Sequence, residues 1–196
     1  MLEPLKPFYN STLRPAARLA LRAGIHPNHV TILGLLLFIA AGYFCAVSRW
    51  YTALILVISG SLMDGLDGVL ARESGKTSTF GGILDSTSDR LTEMVLLGGL
   101  SYYYLHHGTP VLGTMLCFSA LCGSVLVSYV KARCEAAGVP CSRGLLQRPE
   151  RLILLCIGLF AGPYIMLWIL GVITVAGAFT VAQRIHQAAR AAEKKP

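Results

Sequence analysis

The stretch MDGLDGVLARESGKTSTFGGILDSTSDR, Met63 to Arg90, carries four aspartates, Asp64, Asp67, Asp85 and Asp89, where the surrounding sequence should exclude them. The chain has 196 residues, of which 54% are hydrophobic and only 10 are acidic, and its mean hydropathy is +0.60. Apolar runs flank the stretch, Ala53 to Met63 before it and Met94 to Leu100 after it. A lone carboxylate in a membrane helix costs roughly 2.5–3.5 kcal/mol even on a lenient insertion scale. Four of them between Asp64 and Asp89 need a cation or a reaction to offset that cost, so function is expected here.

Outward from this stretch, the charge content sets the fold class. Only 14% of residues are charged, against about 25% in an ordinary globular protein. Long apolar runs recur at Val30–Val47, Tyr51–Met63, Glu93–Tyr104, Val111–Val130, Leu152–Leu159 and Tyr164–Val181. Each reaches about 20 residues, enough to cross a bilayer, once its semi-polar ends are included. The chain therefore reads as an all-α integral membrane protein with six transmembrane helices, and a soluble helical bundle with a greasy core is the weaker reading. One domain over 1–196 is expected, with a juxtamembrane segment over 1–25 and a six-helix bundle over 26–190.

Met1–Gly24 has neither a continuous apolar core nor a small-residue cleavage site, so no signal peptide is expected. Leu13, Ala16, Ala17, Leu19, Ala20 and Leu21 share this segment with Arg14, Arg18 and Arg22, whose spacing of four puts them on one helix face. That pattern predicts an amphipathic helix lying at the membrane surface and starting near Asn10–Ser11.

The net charge of +7 is explained by where the cations fall. Lys6, Arg14, Arg18 and Arg22 precede the first span. Arg72 and Lys76 lie between the second and third, and Lys131, Arg133, Arg143, Arg148 and Arg151 between the fourth and fifth. Arg184, Arg190, Lys194 and Lys195 follow the sixth, while the opposite connections hold Arg49 alone. This is the positive-inside asymmetry of a multi-pass protein of the cell membrane, with both termini and the aspartate site cytoplasmic. No nucleic-acid partner is needed to account for the charge. The six cysteines show no metal-ligand spacing.

Asp64 and Asp67 are three apart near the cytoplasmic end of the second span, and Asp85 and Asp89 are four apart near the start of the third. Such spacings put each pair on one helix face. The Gly-, Ser- and Thr-rich connection Glu73–Phe80 would fold the pairs together into one site of four carboxylates. Oxygen-only donors suit hard divalent cations such as Mg²⁺ or Mn²⁺. Gly68 and Ala71 extend the acidic face with small residues, leaving room for a ligand. A divalent metal-ion transporter is the competing reading. Placement near one membrane surface, beside Arg72, favours an enzyme in which two cations clamp a diphosphate.

The pattern Asp64-x2-Asp67-Gly68-x2-Ala71-Arg72-x8-Gly81-x3-Asp85-x3-Asp89 resembles the signature of the CDP-alcohol phosphotransferases. The likeness extends to the six-helix layout. It implies transfer of a phosphatidyl or archaetidyl group from CDP-diacylglycerol or CDP-archaeol to an alcohol, with release of CMP. It also implies that Asp64, Asp67, Asp85 and Asp89 hold Mg²⁺ or Mn²⁺, two ions in all, with Asp89 as the catalytic base. Glu93, one turn further on, is a second candidate for that base. Gly68, Ala71, Arg72, Ser78 and Gly81 would form the CDP-lipid pocket, together with Asn28, His29, Val30 and Thr31. The bland reading of this segment is an N-cap, with Pro27 and Asn28 simply starting the first span.

The acceptor is addressed by Ser128–Arg151, SYVKARCEAAGVPCSRGLLQRPER, and by Arg184. Pro149 suits the first turn of a helix whose N-terminus offers N–H groups to an anion. Lys131, Arg133, Arg148, Arg151 and Arg184 thus suit a phosphorylated alcohol. The pattern is similar to that of the phosphatidylinositol phosphate synthases and their archaeal counterparts, which implies inositol phosphate as acceptor. Glycerol 3-phosphate, as in phosphatidylglycerophosphate synthases, is the alternative. Small residues in the third and fourth spans (Gly98, Gly99, Ser101, Gly113, Ser119, Ser124) permit close helix packing, and the resemblance implies a homodimer.

Overall fold

The computed structural model describes residues 6–139 and 144–192, with side chains described over 11–139 and 144–191. Cys141, Arg143, Lys194 and Lys195 lie outside the described residues. Those that are described form seven α-helices and no strand: α1 (Lys6–Arg22), α2 (Pro27–Ala46), α3 (Trp50–Glu73), α4 (Thr79–His106), α5 (Pro110–Ala136), α6 (Arg148–Ala161) and α7 (Pro163–Ala192). The chain divides into two compact units, Met1–Tyr103 and Tyr104–Pro196.

In the first unit α2 and α3 form the main packing pair. Val30, Thr31, Gly34, Phe38, Ala41, Gly42 and Cys45 are the buried stripe of α2, recurring every three or four residues. Phe38 lies across Gly60 of α3, where an added Cβ would stand 2.8 Å from its ring. Helix α2 starts at Pro27, followed by Asn28, as expected for a helix start there. His26 is the cap: its backbone is extended and its Nδ1 accepts from Asn28 N at 3.3 Å.

Helix α3 ends in a glycine turn. Gly75 has φ +65°, Lys76 N donates to Ala71 O at 3.1 Å and Gly75 N to Arg72 O at 3.3 Å, the paired bonds of a Schellman cap. Ser78 then caps α4, accepting from Gly81 N at 2.9 Å. The five residues Ser74–Ser78 therefore reverse the chain and bring the aspartate-bearing ends of α3 and α4 side by side.

Helix α1 starts at Lys6, ahead of the expected Asn10–Ser11. Its apolar face meets protein. Ala17 is fully buried with Val30, Val69 and Leu70, and Leu13, Ala20, Leu21, Met63 and Leu66 pack around them. Arg14 Nε lies 3.3 Å and Arg18 Nε 3.9 Å from the carboxylate oxygens of Glu73, at the last residue of α3. Exposed pairs of this kind contribute about 0–1 kcal/mol, so the apolar contact anchors α1 and the ion pairs set its register. The helix is thus a brace on the half of α3 that carries Asp64 and Asp67.

In the second unit α7 packs against α5 and α6. Gly123 and Gly177 let α5 and α7 approach closely. Met166 occupies the place that a side chain on Gly158 would take, and the Tyr104 hydroxyl donates to Pro163 O at 2.6 Å.

Four helices, α2, α3, α5 and α7, are long and apolar enough to cross a membrane. They present large apolar side chains outward, such as Leu36 and Tyr43 on α2, Tyr51 and Ile55 on α3, Phe118 on α5, and Trp168 and Val175 on α7. Apolar surface on this scale belongs against lipid rather than water, and the chain is a membrane protein. Of the other two expected spans, α4 carries Asp85, Asp89, Arg90 and Glu93 within its first 15 residues. Helix α6 has 14 residues where about 20 were expected, and at 1.5 Å per residue it reaches only about 21 Å.

Candidate active site

Asp64 projects from α3, and Asp85 and Asp89 from α4, each pair of helix ends held by the short Ser74–Ser78 connection. One carboxylate oxygen from each of these three lies within 4.8 Å of the others. At that separation two carboxylates repel by roughly 3–4 kcal/mol at an effective dielectric of about 20. A cation between them turns the repulsion into coordination. Oxygens on one Mg²⁺ or Ca²⁺ stand about 2.0–2.6 Å from the metal and so no more than about 4–5 Å apart. The donor set is all oxygen, and it fits a hard divalent cation.

Asp67 stands outside that set of three. It is buried, and its Oδ2 accepts a 2.5 Å hydrogen bond from the hydroxyl of Thr31 on α2. Glu93, the alternative base, lies one turn beyond Asp89 and is also buried. Thr92 Oγ1 donates to the Asp89 carbonyl at 2.8 Å, and Arg90 returns its guanidinium to the Ser86 carbonyl of its own helix.

The residues expected around the nucleotide divide into two groups. Asn28, Ser78 and Gly81 come together where α2 and α4 begin. A Cβ on Gly81 would stand 3.1 Å from Ser78 Oγ and 3.6 Å from Asn28 Oδ1. On α3, Arg72 is exposed and folds back over Gly68, with Nη1 3.6 Å from the position of a Cβ there. Ala71 is half-buried and His29 exposed. Val30 instead sits in the core between α1 and α3.

The acceptor candidates belong to the second unit. Lys131 is half-exposed, 3.7 Å from Glu135 one turn on, and Arg133 is exposed. Arg148 is the first residue of α6 with Pro149 after it, as expected for that helix start. Arg151 and Arg184 are buried. Arg151 Nη1 donates to Leu146 O at 3.4 Å and Arg184 Nη1 to Val127 O at 2.5 Å. Gly144 rests against Thr180 and Arg184, and Leu146 N donates to Thr180 Oγ1 at 3.1 Å. These two arginines therefore also seat the segment Gly144–Gln147 on α7.

Sequence reading missed two contacts here: the Glu73 link to Arg14 and Arg18, and the Thr31–Asp67 bond. Glu73 directly follows the Ala71-Arg72 pair and carried the only signal for the first, an acid at the end of a basic-flanked helix. The second joins residues 36 apart and left no local trace.

Two acidic helix ends are thus bent together by a short polar turn, with an arginine lying over a glycine beside them. Residues 24–183 match the family model described as CDP-alcohol phosphatidyltransferase, and the chain belongs to that family. It is 36% identical over 190 residues to the phosphatidylinositol phosphate synthase of Mycolicibacterium smegmatis, covering 91% of this chain and 84% of that one. It is 33% identical over 195 residues to the archaetidylinositol phosphate synthase of Pyrococcus horikoshii, covering 98% and 99%. The crystal structure of Mycobacterium tuberculosis phosphatidylinositol phosphate synthase with CDP-DAG bound superposes with a TM-score of 0.83 at 32% identity, covering 90% of this chain and 92% of that one. The same enzyme in complex with manganese and citrate gives a TM-score of 0.84 at 32% identity, over 90% and 88%.

Proposed function

We propose that this chain transfers a phosphatidyl or archaetidyl group from a CDP-linked lipid to inositol phosphate, releasing CMP. The observation that carries the reading is the three-carboxylate cluster of Asp64, Asp85 and Asp89 inside a complete family signature. Relatives named for phosphatidylinositol phosphate and archaetidylinositol phosphate synthesis support the acceptor.

In this reading Asp64, Asp67, Asp85 and Asp89 hold Mg²⁺ or Mn²⁺, two ions in all, and the manganese complex of the mycobacterial structure supports the choice of ion. Bound there, the ions would supply positive charge to the diphosphate and to the CMP leaving group. Asp89 takes the proton from the acceptor hydroxyl. The hydroxyl oxygen bonds to the lipid-bearing phosphorus as the bond from that phosphorus to CMP breaks. Arg72, over Gly68, pairs with the diphosphate, while Asn28, Ser78 and Gly81 border the nucleotide. Lys131, Arg133, Arg148, Arg151 and Arg184 receive the acceptor phosphate.

The family match runs through both compact units, which supports one functional domain. Six spans follow if α4 and α6 cross with the four longer apolar helices, α1 lying at the cytoplasmic surface. The basic residues then put both termini and the site on the cytoplasmic side of the cell membrane. Two such chains form a homodimer.

The test is CMP release from CDP-diacylglycerol and from CDP-archaeol with Mg²⁺ or Mn²⁺, offering inositol phosphate, glycerol 3-phosphate, free inositol or serine. Inositol phosphate is expected to support release. Release with glycerol 3-phosphate and not inositol phosphate would reassign the acceptor, and silence with all four would defeat the transferase reading. In the same assay Lys131→Ala is expected to raise KM for inositol phosphate about tenfold, the scale of one charge-assisted hydrogen bond, leaving KM for the CDP-lipid within about twofold. A defect confined to the CDP-lipid would remove Lys131 from the acceptor site. Arg151→Ala should act in the same direction and more strongly, because it also releases Leu146.

A further inference from the structure

We propose that Thr31 is a positioning residue of the carboxylate site, its hydroxyl fixing the orientation of Asp67. The inference rests on the metal-site reading above. Thr31 and Asp67 are both buried, at 7% and 5% exposure. The Thr31 hydroxyl has one proton and two acceptors within reach, Pro27 O at 3.3 Å and Asp67 Oδ2 at 2.5 Å. The nearer is a carboxylate oxygen, and the shorter contact is the stronger bond. The proton therefore goes to Asp67.

The geometry makes this donor rigid. A threonine in a helix is confined to few χ1 rotamers, and the one that places Oγ1 over the carbonyl four residues back is among them. Thr31 Oγ1 sits in that rotamer, 3.3 Å from Pro27 O, and Pro27 itself has a fixed φ at the start of α2. The hydroxyl is thus pre-aimed by α2 at a carboxylate on α3. Thr31 also borders a cavity of about 10 Å³ shared with Asp64, Ser88 and Thr92. This is at most the room of one water. A side chain whose only proton is committed to Asp67 and which is this buried has little left to offer a nucleotide. Its contribution comes through Asp67, as with the outer partners of metal-binding carboxylates elsewhere.

The experiment measures Mn²⁺ binding to the purified full chain without substrate, by electron paramagnetic resonance of the unbound ion, alongside KM and kcat. Thr31→Val keeps the shape and removes the donor; Thr31→Ser keeps the donor and removes the methyl. Thr31→Val is expected to weaken Mn²⁺ binding about 10–100-fold, the usual loss for an outer-shell partner. Thr31→Ser should stay within about threefold of wild type, and KM for the CDP-lipid at saturating Mn²⁺ should hold for both. Unchanged Mn²⁺ binding by Thr31→Val with a raised CDP-lipid KM would overturn the proposal and make Thr31 a nucleotide contact. Equal loss in both variants would overturn it as well, leaving a packing role. Should Thr31→Val not fold, Thr31→Cys, with its weak donor, is judged by the same outcomes. Asp64→Asn separates the two readings: if it binds Mn²⁺ like wild type, the metal site itself is misplaced and Thr31 falls with it.

Discussion

Replacing Asp89 by asparagine is expected to lower kcat by about 10³-fold or more, within the range for loss of a general base, with CDP-lipid binding retained to within about tenfold. The substitution keeps the shape of the side chain and removes its capacity to take a proton. Asp89 lies on α4 one turn from Asp85, half-buried, with an oxygen in the cluster shared with Asp64 and Asp85. It thus belongs to the cluster that, on the proposed reading, would hold the cation. A carboxylate firmly held by cations is a weak base, so a base at this position must keep one oxygen clear for the acceptor hydroxyl. Glu93 is the second candidate on the same face, and Glu93→Gln provides the contrast. It is 7% exposed and lies a turn deeper, where an acceptor has poor access. Single-turnover CMP release should collapse for Asp89→Asn and persist for Glu93→Gln. A kcat for Asp89→Asn within about tenfold of wild type would mean that another group takes the proton. Collapse in Glu93→Gln alone would name that group.

The parts of this site legible in sequence were those fixed by helix period and turn chemistry. The spacing of four put Asp85 and Asp89 on one face of α4, and a Gly- and Ser-rich connection bent that helix against the end of α3 that carries Asp64. Both effects act over a few residues. What could not be read depends on partners distant in the chain. The apolar face of α1 could bury against lipid or protein with the same residues, and only the fold shows Ala17 against Val30, Val69 and Leu70. Val30 was expected in the nucleotide pocket because Asn28–Thr31 resembles a family segment that lines it, and α2 packs its side chain into that core. The donor from Thr31 to Asp67 crosses 36 positions. Helix α6 is short for a reason that lies in the chain but is easily overlooked: Gly162 adopts φ +96° and Pro163 follows it, so α6 stops while the apolar sequence continues into α7.

Gly99→Val is expected to abolish recovery of folded protein, and Gly98→Val, one position away, to leave it close to wild type. The two glycines look alike in sequence, since both belong to a run of small residues suited to close helix contact. They differ in what a side chain would meet. A Cβ on Gly98 has nothing within 4 Å. One on Gly99 collides with the carbonyl oxygen of Gly42 on α2 and stands 2.7 Å from its carbon and 2.9 Å from its Cα, where apolar atoms settle about 3.5–4.0 Å apart. The obstacle is backbone, so no rotamer change relieves it. The reciprocal contact is equally tight, a Cβ on Gly42 standing 2.6 Å from the Val95 carbonyl oxygen. Overpacking usually costs about 1–3 kcal/mol when side chains can shift, and here α2 and α4 would have to part. Their separation matters beyond stability. Thr31 lies on α2 and Ser88 and Thr92 on α4, all bordering the small cavity beside Asp64, so the Gly42–Gly99 crossing sets how closely α2 approaches the carboxylates. Size-exclusion profiles and thermal melts in detergent decide the matter. A melting temperature for Gly99→Val within about 2 °C of wild type, a shift that corresponds to well under 1 kcal/mol, would show that α2 and α4 do not meet at these glycines.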